Sequence, residues 1–153
     1  MNTDRTIRVI AHNVRSLWNV GSIFRTCDGF NVEKLYLTGY TGAPPRKEIS
    51  KVALGAEEWV EWEQFEDPAD AIAQLQKDGF IITALEQTRR SDNVADYRAP
   101  EKVCLVLGHE VDGIDRDLLK LCEEAIEIPM LGNKESFNVA VAAGIALYAL
   151  RNL

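Results

Sequence analysis

Along this chain, short continuous apolar runs alternate with stretches whose apolar residues recur every three or four positions. Residues 7–11 (I-R-V-I-A) have the density of a strand. Residues 19–30 follow a helical period, with Ile23 and Cys27 four apart on the inward face and Gly29 closing the segment. Residues 34–38 (K-L-Y-L-T) read as a second strand and run into the loop Gly39-Tyr40-Thr41-Gly42-Ala43-Pro44-Pro45. The stretch 59–65 carries acidic residues at alternate positions, as a short edge strand would. Asp67 and Pro68 then supply an N-cap and a first-turn proline for a helix reaching Gly79. Residues 80–85 (F-I-I-T-A-L) and 103–107 (V-C-L-V-L) are apolar runs, the pattern of strands buried on both faces. The segment between them, 86–102, is polar and irregular. A helix over 115–122, a strand over 125–129 and a helix over 137–152 complete the pattern.

Strands alternating with helices predict an α/β fold, a mostly parallel sheet flanked by helices. No repeat or linker interrupts it, so residues 1–153 read as one domain. Sheets of this class bind ligands beyond the carboxyl ends of their strands. Chemistry is therefore sought in the loops after residues 11, 38, 85, 107 and 130.

Composition narrows the class. Hydrophobic residues make up 46% and charged residues 27%, which excludes a disordered chain. No apolar run approaches the roughly 20 residues that span a bilayer, and Met1-Asn2-Thr3-Asp4-Arg5 has no apolar leader. Cys27, Cys104 and Cys122 form no C-x-x-C pair and sit among apolar neighbours, which suits a reducing compartment. A cytoplasmic protein is expected. The net charge of -7 argues against a polyanion partner, but the charge is uneven. Residues 1–51 hold eight basic and four acidic side chains, whereas residues 52–80 hold one and eight. A basic N-terminal third can present an RNA-facing surface, and a solvated mixture of charges fits the same count. The candidate RNA contacts are Arg8, Arg15, Arg46, Lys47, Arg89 and Arg90.

Three loops carry unusual polar residues. In Asn19-Val20-Gly21-Ser22-Ile23-Phe24-Arg25, Asn19 has the chemistry of an N-cap, Gly21 leaves the first turn open, and Arg25 shares the face of Gly21. Helix amides and a guanidinium there would grip a phosphate, although a capped helix with a surface arginine reads equally well. In Gly108-His109-Glu110-Val111-Asp112-Gly113, two glycines permit a sharp turn and close backbone approach. Ile114-Asp115 follows where a P-loop needs Lys and Ser or Thr, so that motif fails. The acidic residues suit a ligand bearing hydroxyls or positive charge. His12 and His109 are the only histidines, too few for a zinc cluster, and no metal is expected. In Ile128-Pro129-Met130-Leu131-Gly132-Asn133-Lys134-Glu135-Ser136-Phe137-Asn138, a strand ends in proline and a polar loop enters the last helix, with Ser136 placed as its N-cap.

Taken in order, N-x-G-x-x-x-R, G-x-E-x-x-G and I-P-M-x-G-x-x-x-S-x-N-V resemble the SpoU/TrmH family of RNA ribose methyltransferases, over about residues 9–150. Two positions depart from the family pattern: many relatives have Asn where His109 stands and Leu where Phe137 stands. No added RNA-binding domain flanks the motifs, as in minimal members. The resemblance implies a SPOUT fold with a C-terminal trefoil knot, S-adenosylmethionine as cofactor, and methylation of a ribose 2′-hydroxyl, with tRNA favoured over rRNA. It further implies a homodimer, with no DNA or membrane partner. By position, Thr83, Ala84, Leu85, Gly108, Ile128, Met130, Leu131, Ser136 and Phe137 would form the cofactor site. Arg25 matches the catalytic arginine, with Asn19 and Glu110 positioning it and Ser136 and Asn138 orienting ribose or cofactor. A noncatalytic RNA- or nucleotide-binding module on this fold and a base-methylating SPOUT enzyme are the competing readings. The joint presence of Asn19, Arg25, Glu110, Ser136 and Asn138 favours ribose methylation over both.

Overall fold

Residues 1–153 are described by a computed structural model in which strands and helices alternate from end to end. They run β1 (Thr6–His12), α1 (Leu17–Gly29), β2 (Lys34–Thr38), α2 (Lys47–Ala53), a 3₁₀ turn (Ala56–Glu58), β3 (Trp62–Phe65) and α3 (Pro68–Lys77). Then follow β4 (Ile81–Leu85), a two-residue β5 (Asp92–Asn93), β6 (Lys102–Leu107), α4 (Arg116–Leu121), β7 (Glu124–Glu127) and α5 (Val139–Asn152). The strands form one sheet in the order β3-β2-β1-β6-β4-β7-β5, and every neighbouring pair is parallel.

Both faces are covered, which is why the central strands are mostly apolar, with Arg8 in β1 and Thr83 in β4 as polar exceptions that each find a partner. Val9, level with Leu35 and Leu105, points with Ile7, Leu37 and Val103 into a core closed by α1, α2 and α5. Ile10, Tyr36, Ile82 and Cys104 point the opposite way, under Ala71, Ile72 and Leu75 of α3 and Leu118 of α4. Burial raises the thiols of Cys27, Cys104 and Cys122, the last to about 12, so all three are inert packing residues.

Two arginines brace the end of the sheet opposite the loops of interest. Arg5 donates to the carbonyls of Ala99, Pro100, Leu150 and Leu153. Arg151 donates to those of Asn2, Arg5, Phe30 and Asn31. Spent on carbonyls the chain ends cannot otherwise satisfy, they anchor the C-terminus of α5 and aim its N-terminus at the strand carboxyl ends.

The predicted elements are present with shifted bounds. Helix α1 begins two residues early because Ser16, not Asn19, is its N-cap, the Ser16 hydroxyl accepting from the Asn19 amide at 3.2 Å. Helix α5 begins at Val139 because Asn138, not Ser136, caps it through bonds from the Ala140 and Val141 amides. Strand β3 is an edge strand as expected, with Trp59 outside it. Helix α2 was not predicted: its inward face is only Ile49 and Ala53, too short a period to read. It also changes the meaning of Gly21. A Cβ there would lie 2.5 Å from the Ile49 carbonyl oxygen, so this glycine permits α1 to touch α2 and opens no surface to a ligand.

Candidate active site

The carboxyl ends of β4, β6 and β7 surround a cleft of about 160 Å³, lined from Leu85 to Gln87, from Leu107 to Gly113, and by Glu127, Ile128, Met130, Ser136, Phe137, Val139 and Ala142. Its floor is the turn after β6. The amide and carbonyl of His109 bond the carbonyl and amide of Gly113 at 3.1 and 2.9 Å, with Gly113 at φ 69°. Nδ1 of His109 accepts from the amides of Val111 and Asp112, both at 3.0 Å, so the ring closes its own turn. The close approach that Gly108 permits is to Gly113, whose carbonyl carbon would lie 2.6 Å from an added Cβ. Glu86 ties this turn to the end of β4, one carboxylate oxygen accepting from the Ile114 amide at 2.8 Å and the other from the Gln87 amide at 3.0 Å. The sequence reading passed over Glu86; its signal is an acidic residue directly after a buried strand.

The third wall is unlike the other two. From Met130 to Phe137 no backbone amide bonds to another protein group, and a single hydrogen bond, Gln87 Nε2 to the Glu135 carbonyl at 2.8 Å, ties the segment to the rest. These amides and carbonyls remain available to a ligand. No Lys or Arg lines the cleft, whereas Glu86, Glu110, Asp112 and Glu127 do. An anion is thus disfavoured and a cation with an apolar body is favoured, since Leu85, Leu107, Ile128, Met130 and Phe137 supply apolar walls. A flat base carried on a sulfonium fits that donor set. No group of three His, Cys, Asp or Glu side chains is placed to hold a metal ion.

Not every expected cofactor residue reaches the cleft. Leu85, Gly108, Ile128, Met130, Ser136 and Phe137 line it. Thr83 and Ala84 do not: both are fully buried in β4, and the Thr83 hydroxyl pairs with that of Tyr97. Strand alternation and cover on both faces leave only the last residue of β4 at the rim. Leu131 is 97% exposed and also lies outside the cleft, its loop turning the side chain to solvent.

Beside the cleft, polar side chains join the loops. The Glu110 carboxylate accepts from the Arg15 amide at 2.8 Å, which pins the loop between β1 and α1 over the β6 turn. Asn138 donates through Nδ2 to Oδ1 of Asn19 at 3.1 Å and so couples the starts of α1 and α5. Neither Asn19 nor Glu110 bonds to Arg25. That guanidinium is exposed, makes no hydrogen bond or ion pair, and does not line the cleft. Of the basic residues expected to meet RNA, Arg15, Arg46, Lys47, Arg89 and Arg90 are exposed at the carboxyl side of the sheet. Arg8 is not available. Near the start of β1 it is bound to Glu33 at 2.6 Å and the Tyr36 hydroxyl at 2.9 Å, with its guanidinium over the Phe80 ring. Its place on the α3 face, next to Glu33, turns it into a brace.

A shallow apolar groove runs between α1 and α5, lined by Asn19, Ser22, Thr26 and Phe30 on one side and Ala140, Val141, Gly144 and Tyr148 on the other. Val141 and Tyr148 are 51% and 58% exposed. The alanines of α5 divide by face: Ala143 and Ala146 are buried against the sheet, Ala142 lines the cleft and Ala140 the groove.

A family model described as the SpoU rRNA methylase family matches residues 6–148. The tRNA (guanosine(18)-2′-O)-methyltransferase of Aquifex aeolicus is 33% identical over 141 residues, 92% of this chain and 66% of its own length. The crystal structure of the A. aeolicus TrmH/SpoU tRNA modifying enzyme superposes with a TM-score of 0.86 at 31% identity, over 97% of this chain and 76% of that one. An AdoMet-bound rRNA methyltransferase from Sinorhizobium meliloti has the same fold, with a TM-score of 0.89 at 24% identity over 99% of this chain and 58% of its own.

Proposed function

Because the chain belongs to the SpoU rRNA methylase family, we propose that it transfers a methyl group from S-adenosylmethionine to a ribose 2′-hydroxyl of RNA, with tRNA the substrate class. The observation that carries the cofactor assignment is the cleft itself: apolar walls, four carboxylates, no cation, and a run of backbone amides that bond to no protein group. When bound, the cofactor supplies a methyl group on a positively charged sulfur. Leu85, Ile128 and Phe137 would enclose its base, and the free backbone from Met130 to Ser136 would take its polar edges. Glu86, by holding the β6 turn to the end of β4, keeps the two halves of the cleft at fixed separation.

Arg25 acts on the RNA side. An arginine stays protonated in proteins, which makes it a poor base. We assign it to orient the 2′-hydroxyl and an adjacent phosphate, whose oxygen can take the proton as the new bond forms. Its separation from the cleft of its own chain supports a homodimer in which one subunit's Arg25 meets the other's cofactor. The α1–α5 groove, with its exposed Val141 and Tyr148, is the face we assign to that contact. We place the trefoil knot in the C-terminal third, as membership of the family implies. The cytoplasm is the assigned compartment; no helix is long and apolar enough to cross a membrane.

The test is nucleoside mass spectrometry of tRNA and rRNA from a strain lacking this chain, followed by methylation of the same RNA by the purified protein and S-adenosylmethionine. A single 2′-O-methylnucleoside should disappear from tRNA and be restored in vitro. Restoration of a base-methylated nucleoside, or of none, would overturn the assignment. RNA affinity should fall steeply with salt through Arg15, Arg46, Lys47, Arg89 and Arg90.

A further inference from the structure

We infer that Trp18 is a base-stacking contact for the RNA, set on the same stripe of α1 as Arg25; this rests on the RNA-methylating reading above. Seven residues of helix turn through 700°, so Trp18 and Arg25 project within about 20° of one another, roughly 10 Å apart along the axis. Val20, Ile23, Phe24 and Cys27 lie on the opposite side of α1, whereas Gly21, one turn from Arg25, is covered by α2. Neither Trp18 nor Arg25 lines the α1–α5 groove, so a second subunit seated there leaves both on its rim.

The indole is 50% exposed and engages no other ring and no cation of its own chain. Exposure alone does not single it out, since Trp59 is 81% exposed; Trp59 sits among Glu57, Glu58 and Glu61, whereas Trp18 sits between Arg15 and Arg25. Its backbone, in contrast, is held firmly. Ser16, two residues earlier, caps the helix, and Leu17 is pressed against Gly42, where a Cβ would lie 2.3 Å from the leucine Cδ2. The Arg15 amide is fixed by Glu110. A rigid aromatic face beside an unspent guanidinium and the exposed Arg15 is the chemistry that receives a nucleobase: ring against ring, cation against phosphate. Stacking accepts any base, so Trp18 would hold the nucleotide at or next to the methylated ribose without reading its identity.

The experiment uses the full chain with Trp59→Phe and Trp62→Phe, which leaves Trp18 as the only tryptophan. Titration with a ten-nucleotide oligoadenylate should quench its fluorescence saturably. With tRNA from the deletion strain, Trp18→Ala should raise KM between about five- and 150-fold, the span of one stacked base. It should leave kcat within twofold and S-adenosylmethionine affinity unchanged, and Trp18→Phe should recover most of the loss. An unchanged KM in an enzyme that methylates RNA would overturn the stacking role alone. A loss of mass to that of one subunit would overturn it by making Trp18 a subunit contact. If the parent protein methylates no RNA, the functional reading falls and takes this inference with it.

Discussion

Arg25 carries a charge that nothing in its own chain uses. A guanidinium left free on a helix flank, where Glu33, Glu48 and Glu63 have each drawn another basic residue into an ion pair, is available for a ligand. Arg25→Ala should abolish methyl transfer and leave calorimetric S-adenosylmethionine affinity nearly intact, because the cleft contains no part of it. Loss of cofactor binding in that variant would refute the division of roles. His12 is the residue whose titration matters to stability. Burial holds its pKa below the ordinary value of 6.5, and Asp115 and Asp67 only partly oppose this. The folded state therefore takes up the proton less readily than the unfolded one. The contribution is complete above pH 6.5 and is lost as pH falls through the lower folded value. Denaturant unfolding of His12→Gln should depend less on pH between 7 and 5 than that of the parent; parallel profiles would contradict this.

At the scale of elements, the site depends on contacts that fix where helices begin. Asn138 caps α5 and at the same time holds Asn19 of α1, so two helices that are 119 positions apart in sequence start from one polar point. The pairing of α1 with α2 is equally close. Gly21→Ala would press a methyl group onto the Ile49 carbonyl and the Val52 side chain. Overpacking of this kind costs about 1–3 kcal/mol, which lowers the melting temperature by about 3–10 °C in a domain of this size. Scanning calorimetry should find that drop, and an equal or higher melting temperature would mean that α2 yields without cost. Because α1 carries both Trp18 and Arg25, activity should fall further than the lost stability accounts for.

The whole molecule places the cleft and the arginine on different parts of its surface. The proposed homodimer through α1 and α5 would resolve this by bringing one subunit's Arg25 to the other's cleft. Sedimentation at micromolar concentration should give a mass near twice 17.1 kDa. Mixed dimers of Arg25→Ala with a cleft variant such as Gly108→Val should regain activity, since one of the two sites is then intact. A stable, active monomer would sink the dimer, and confirmed heterodimers without activity would remove the shared site while leaving the pairing. Charge at this scale is also divided: the acidic residues of 52–80 lie in the 3₁₀ turn, in edge strand β3 and its flanking loops, and in α3 on the sheet face, whereas Arg15, Arg46, Lys47, Arg89 and Arg90 lie in the carboxyl-end loops and at the start of α2.

Periodicity alone was enough for the class of fold, since strands buried on both faces are dominated by apolar residues, as 80–85 and 103–107 are, with Thr83 the one exception. It was enough, too, for the loops that make the cleft, because a parallel sheet gathers them at one end; Leu85, Gly108, Ile128, Met130, Ser136 and Phe137 were legible on that ground and on the motifs. What needed tertiary structure was the direction and the partner of each side chain. Thr83 and Ala84 share a strand with Leu85, yet the sheet buries them; Arg8 reads as cationic as Arg15, yet Glu33 and Tyr36 occupy it. Ser136 and Asn19 have the chemistry of caps, and Asn138 and Ser16 took those places because the chain reached helical geometry at other residues. Local sequence fixes spacing and polarity, whereas which polar group meets which is a long-range choice made only when the sheet closes.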